Sequence, residues 1–153
     1  MFDQALLPDT LGAIQLAAKI PAISGAYLAG GTALALQFGH RISVDLDFFT
    51  SNPVDEDLLE AKLREHPEFK LQNKARGTIL GHIGNTQFSL FYYPYPLLEK
   101  TLPYRGIQIA GKDNLRQQSA MWQAMLMSAK LPPSKQIIIH GFIISNGQKM
   151  SKS

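Results

Sequence analysis

The glycine pair and threonine at Gly30-Gly31-Thr32 constrain this chain more than any other feature, because they separate two runs of different character. Ala26 to Ala29 is short and apolar, while Ala33 to Phe38 is built of good helix formers. Glycine frees the backbone at such a junction, so the spacing predicts a strand, a tight turn and a helix. Val44 to Phe49 then has strand composition, and Ser51-Asn52-Pro53 supplies turn chemistry before a helix over about Asp55 to Arg64. Two strands flanking one helix is the start of an α/β (α+β) domain with a mixed sheet and flanking helices. With 153 residues there is room for one ordinary domain or two undersized pieces.

The rest of the chain fits that class. Residues 4 to 20 carry apolar positions at near-helical spacing, ended by Pro21. Phe69 to Tyr93 is broken by Gly77, Gly81, Gly84 and Asn85 into two or three strands, as in antiparallel hairpins. A further strand is expected at Gly106 to Ala110 and a helix at Asp113 to Ala129. Gln136 to Gln148 reads as strand, bend, strand around the turn Ser145-Asn146-Gly147. The chain has no cysteine, which excludes disulfide scaffolds, thiolate zinc sites, iron-sulfur clusters and cysteine nucleophiles. Its apolar runs fall far short of the roughly 20 residues that span a bilayer, and the start MFDQALLPDT lacks a basic signal-peptide region. A soluble, cytoplasmic protein with no membrane partner is the expectation.

The net charge of +3 hides an asymmetry. Before position 60 the acids Asp3, Asp9, Asp45, Asp47, Asp55, Glu56 and Asp57 face Lys19 and Arg41; after Gly111, six basic residues face Asp113 alone. An acidic half suits divalent metal and a basic tail suits phosphate or nucleic acid, although solvated surface explains either. Asp45 and Asp47 stand two apart in a strand, so their carboxylates leave one face about 6.6 Å apart. Without thiolates, oxygen ligands of this kind select magnesium or manganese, whose usual companion is a nucleoside triphosphate such as ATP. The Gly30-Gly31-Thr32 turn can receive a phosphate on its amides and on the positive end of the helix. Arg41 adds charge for a leaving phosphate, or forms a strand-edge ion pair.

The stretch YLAGGTALALQFGHRISVDLDFF, positions 27 to 49, resembles the signature of the AbiEii/AbiGii-type nucleotidyltransferase toxins of the polymerase-beta-like superfamily. The likeness runs through FYYPYPLL to about Ala110, which sets residues 1–110 apart as a nucleotidyltransferase-like domain. By this resemblance Gly30, Gly31 and Thr32 hold the triphosphate, and Asp45 and Asp47 hold magnesium. It implies transfer of a nucleotidyl group from an NTP to an acceptor hydroxyl on tRNA or protein, and a cognate antitoxin as partner. Such toxins continue into a helix with a catalytic lysine, where this chain reads GKDNLRQQSAMWQAMLMSAK and places no lysine on the helix before Lys130. Nor does Gln87 to Phe91 offer a third carboxylate.

Positions 111 to 153 resemble a different family. The GKDN opening, the helix with Trp122, His140-Gly141-Phe142 and the terminal KMSKS at Lys149 to Ser153 look like the part of a methionyl-tRNA synthetase, a class I enzyme, that leads into its KMSKS signature. That likeness implies a helix and β-hairpin in which Lys149 and Lys152 contact the pyrophosphate of ATP, His140 and Gly141 lie near the nucleotide, and Trp122 lines a methionine pocket. A synthetase also needs an HIGH motif at a strand-to-helix turn, and Gly81-His82-Ile83-Gly84 spells part of it within an expected hairpin. The two resemblances together suggest a composite chain joined near Ala110 and Gly111. Three functions follow: a metal-dependent nucleotidyltransferase, a methionine–tRNA ligase fragment, or an inactive NTP- or RNA-binding remnant.

Overall fold

The computed structural model describes residues 1–115, together with the backbone of 144–145 and 148–149. The chain divides into two compact units, Met1–Leu115 and Arg116–Ser153.

In the first unit the amino-terminal apolar run is not one helix. A 3-10 turn at Asp3–Ala5 precedes helix α1, Pro8–Ala17. Between them Leu6 leaves the helical path to form a parallel bridge with Ser43. Pro8 restarts the helix at a position where its missing N–H costs nothing. A second 3-10 turn, Pro21–Ile23, leads into strand β1, Tyr27–Leu28. Helix α2 begins at Gly30 itself, three residues before the alanine run, and extends to Phe38. Gly39 closes it in the left-handed conformation (φ 60°), with its N–H bonded to the Ala35 carbonyl.

Strand β2, Asp45–Thr50, and helix α3, Glu56–Arg64, follow as the sequence predicts. Asp55 caps α3 by accepting the Leu58 N–H at 2.9 Å, with Glu56 and Asp57 in the first turn and Lys62 and Arg64 in the last. Each sign of charge thus sits at the favourable end of the helix dipole. The glycine-punctuated stretch forms three strands, β3 (Phe69–Ala75), β4 (Thr78–Ile83) and β5 (Thr86–Tyr92). A short hairpin of β6 (Leu102–Tyr104) and β7 (Ile107–Ile109) completes the sheet.

The seven strands lie in the order β3-β4-β5-β2-β1-β7-β6. The sheet is mixed: β2 runs parallel to β5 and β1 parallel to β7, while the remaining neighbours are antiparallel. Alternation along β2 sends Leu46, Phe48 and Thr50 into the buried side. There Phe48 and Phe88 meet with ring centroids 5.7 Å apart, in one core with Ile14 of α1, Leu36 of α2 and Leu63 of α3. Burying each such ring contributes roughly 1.5–3 kcal/mol. The opposite face of β2 carries Asp45, Asp47 and Phe49.

Beyond Gly111 one helical turn at 112–115 is described. The side chain of Asn114, buried to 1% exposure, accepts the N–H groups of Leu98 and Glu99 and donates to the Glu99 carbonyl. The rest of the expected helix after Asp113 lies outside the described residues. In the second unit, β8 (Ile144–Ser145) pairs antiparallel with β9 (Gln148–Lys149), the arrangement expected around a turn at Ser145-Asn146-Gly147. Among the described residues no helix is long and apolar enough to cross a membrane.

Candidate functional site

The site is assembled where β1, the glycine turn and β2 meet. β1 and β2 are antiparallel neighbours, and the Ala29 N–H donates to the Asp47 carbonyl at 2.8 Å. This fixes the turn that follows beside the acidic strand. Gly30 adopts φ +61°, and a Cβ placed on it would stand 2.6 Å from Asp47 Oδ2. The carboxylate of Asp47 therefore faces the glycine turn directly, and a side chain at Gly30 would fill the gap. Thr32, in the first turn of α2, is buried; its hydroxyl donates to the Asp45 carbonyl and lies 2.8 Å from Ser43 Oγ. It pins the helix start to the beginning of β2.

Asp45 and Asp47 share the face that the sequence spacing predicts, but in different surroundings. Asp45 is exposed, and Asp47 is half-buried. Ser89 Oγ donates to Asp47 Oδ1 at 2.5 Å, leaving Oδ2 toward Gly30. Burial pushes the Asp47 carboxyl above the ordinary aspartate value; the Ser89 hydrogen bond offsets part of this and the Asp45 charge adds to it. A cation between the two carboxylates would favour the charged form of Asp47 and so oppose the rise.

Arg41 lies across the glycine turn, its guanidinium Nη2 so close to Gly31 that a Cβ there would collide with it. The strand-edge ion pair considered as its alternative role is not found: among the described residues Arg41 pairs with no carboxylate. Its charge is thus held over the amino-terminal turn of α2, where backbone N–H groups also point outward. The structure brings Gly30, Gly31, Arg41, Asp45 and Asp47 together, with Thr32 as a brace. Trp122, His140, Gly141 and Lys152 lie outside the described residues, and for Lys149 the backbone alone is described, in β9.

Ser43 and Ser89 are the residues the sequence did not single out. Ser43 could have been found from its parity with Arg41, Asp45 and Asp47. Ser89 could not, because its place follows from the parallel register that sets Gln87 opposite Asp45 and Ser89 opposite Asp47.

The donor set fits a hard divalent ion. Among the described residues no group of three or more His, Asp or Glu side chains gathers. Magnesium nevertheless commonly takes one or two carboxylates and completes its shell with water and substrate phosphates. Gly81-His82-Ile83 lies within β4 and Gly84 in the turn after it, so this tetrapeptide is part of a hairpin and not a strand-to-helix turn. A separate cleft of about 250 Å³, lined by Ile23, Thr50, Asn52, Val54, Leu58 and Leu90 among others, opens at the Thr50 end of β2, away from the aspartates.

A protein of Thermotoga maritima described as a putative nucleotidyltransferase (TM1012) shares the fold with a TM-score of 0.55 at 14% identity, over 82% of this chain and 91% of that one. An uncharacterized protein of Aquifex aeolicus, aq_aa25, is 37% identical over 93 residues, covering 58% of this chain and 45% of its own length. The methionine–tRNA ligase of Thermosynechococcus vestitus is 55% identical over 48 residues, 31% of this chain and 9% of the ligase. The chain thus spans under half of the Aquifex relative and about a tenth of the ligase. Residues 93–153 match the family model for class I tRNA synthetases of the methionine type. Residues 16–118, which contain the glycine turn, Arg41 and both aspartates, match the model for the nucleotidyl transferase AbiEii toxin of type IV toxin–antitoxin systems, and the chain belongs to that family.

Proposed function

We propose that the amino-terminal unit is a metal-dependent nucleotidyltransferase that moves a nucleotidyl group from a nucleoside triphosphate to an acceptor hydroxyl. The observation that carries the reading is the approach of Asp47 Oδ2 to Gly30, which sets a carboxylate against a phosphate-receiving turn. Asp45 and Asp47 would hold magnesium or manganese, which supplies Lewis-acid polarisation of the phosphate oxygens when bound. Ser89 fixes one oxygen of Asp47 so that the other stays directed at the turn. The amides of Gly30 and Gly31 receive phosphate oxygens, and Arg41 neutralises charge on the departing pyrophosphate. The acceptor oxygen forms a bond to the α-phosphorus, the bond from that phosphorus to pyrophosphate breaks, and the acceptor proton is released to solvent. The family's description as a toxin of a toxin–antitoxin system supports a cognate antitoxin as partner; in this reading the acceptor hydroxyl belongs to tRNA or protein.

The test is transfer of label from α-labelled NTPs to RNA and protein pools by the full chain, with magnesium or manganese. Label should appear in a macromolecular product and be lost in Asp45→Asn and Asp47→Asn. Undiminished transfer by both variants would overturn the reading, and nucleotide binding without turnover would favour the inactive remnant.

The 55% identity to the ligase over 48 residues favours a second, narrower reading of the carboxy-terminal segment. In it Lys149 and Lys152 approach a pyrophosphate, His140 and Gly141 a nucleotide, and Trp122 a methionine side chain. Methionine-dependent exchange between ATP and pyrophosphate would reveal full ligase chemistry; none is expected, because Gly81-His82-Ile83-Gly84 is built into a hairpin, and the reading is confined to nucleotide binding by this segment.

A further inference from the structure

The sheet face that carries the aspartates continues into a file of aromatic rings. Phe49 is the next residue on that face of β2, and the register with β5 sets Phe91 opposite Phe49 as it sets Ser89 opposite Asp47. Tyr93 extends the ladder by one step, its N–H donating to the Thr50 carbonyl at 2.7 Å. Ring centroids stand 5.3 Å apart for Phe49 and Phe91, 5.8 Å for Phe49 and Tyr93 in an edge-on contact, and 5.0 Å for Tyr93 and Tyr95. Simple core packing accounts for the inner rings, which are half-buried. It does not account for the outer end: Tyr95 is 48% exposed, and the buried hydroxyl of Tyr93 has no hydrogen-bond partner among the described residues. Buried polar groups are nearly always paired, so an orphan beside an exposed ring marks a place where a ligand can complete the contacts.

We propose that the exposed ring of Tyr95, backed by Tyr93 at a 58° tilt, is the face on which the base of the nucleoside triphosphate stacks, a subsite that rests on the nucleotidyltransferase reading above. Two residues of strand advance the chain by about 6.6 Å, so Phe49 stands one such step beyond Asp47 and Tyr93 one ring beyond Phe49. That span is bridged by the ribose and α-phosphate of a nucleotide whose other phosphates lie on the Gly30-Gly31 turn. Stacking on an aromatic face accepts any base, and the Tyr93 hydroxyl supplies a polar partner for the sugar or the base edge.

Binding of ATP and of inorganic tripolyphosphate to the full chain, each with magnesium, separates the subsite from the phosphate site. Tyr95→Ala should weaken ATP about tenfold, as expected for loss of one stacking contact, leave tripolyphosphate unchanged, and be rescued by Tyr95→Phe. Asp45→Asn should weaken both ligands. If Tyr95→Ala leaves ATP affinity intact while Asp45→Asn abolishes it, the subsite is wrong and the transferase reading stands. The subsite is also wrong if Tyr95→Ala weakens a short RNA but not ATP, since the ring then serves the acceptor. If the wild-type chain binds neither ATP nor tripolyphosphate, both proposals fall.

Discussion

Asp47 and Gly30 occupy the two sides of a gap with no room for a methyl group: a Cβ on Gly30 would stand 2.6 Å from Asp47 Oδ2. Substitution of Gly30 by Ala meets two penalties, the left-handed backbone at φ +61° and displacement of the carboxylate. The first alone costs about 1–2 kcal/mol. Gly30→Ala should lower the melting temperature and abolish manganese binding followed by paramagnetic resonance. A variant that binds manganese normally would show that Asp47 does not need to face the turn.

Gly31→Ala is expected to behave differently. The atom its Cβ would meet is the end of the flexible Arg41 side chain, which can swing away. Stability should change little, while affinity for a nucleoside triphosphate falls as far as in Arg41→Ala. The double variant should be no worse than either single one, because both remove the same guanidinium from the same place. Additive losses in titration calorimetry would show that Arg41 acts elsewhere.

The amino terminus carries a pH-dependent tether. Asp3 accepts the Tyr104 hydroxyl at 2.9 Å and also bonds Arg105. The Arg105 guanidinium, followed by the Tyr104 hydroxyl, holds the Asp3 carboxyl below the ordinary aspartate value. A lowered acid adds stability that is present above its unfolded value and disappears as pH falls through the folded one. The difference in melting temperature between wild type and Asp3→Asn should therefore be constant near neutrality and shrink in the acid range. A gap that widens on acidification would contradict this sign.

Phe88 tests the core beneath the site. It is fully buried and touches the rings of both Phe48 and Phe69. Phe88→Ala should cost about 3–5 kcal/mol in chemical denaturation. Ser89→Ala, one residue away on the other face, should cost far less yet weaken manganese binding, since it frees Asp47 Oδ1.

For the carboxy-terminal segment, methionine-dependent ATP–pyrophosphate exchange should be absent from this chain. Gly81-His82-Ile83-Gly84 is built into the β4–β5 hairpin, so the strand-to-helix turn that such exchange requires is not formed by these residues. Measurable exchange would show that another nucleotide site exists.

Legibility in the sequence followed the range of the interactions. The strand, glycine turn, helix and acidic strand were readable from Ala26 to Phe49, because turn chemistry and period-two alternation act over a few residues. The amino-terminal run has the spacing of one helix, but its break depends on Leu6 bridging to Ser43, 37 positions along the chain. The position of Arg41 beside Gly31 was not readable either, because it depends on the turn and the strand lying side by side. Ser89 was invisible because nothing near it in the chain announces a partner 42 positions earlier.

Local order was thus written into the residues themselves: which segments pleat, where glycine permits a turn, and that Asp45 and Asp47 emerge on one side. Long-range pairing decided the rest, because hydrogen-bonded register between distant strands has no local signature. The insertion of β2 between β1 and β5 turned one carboxylate toward Gly30, anchored it on Ser89, and aligned the aromatic file with the acidic pair.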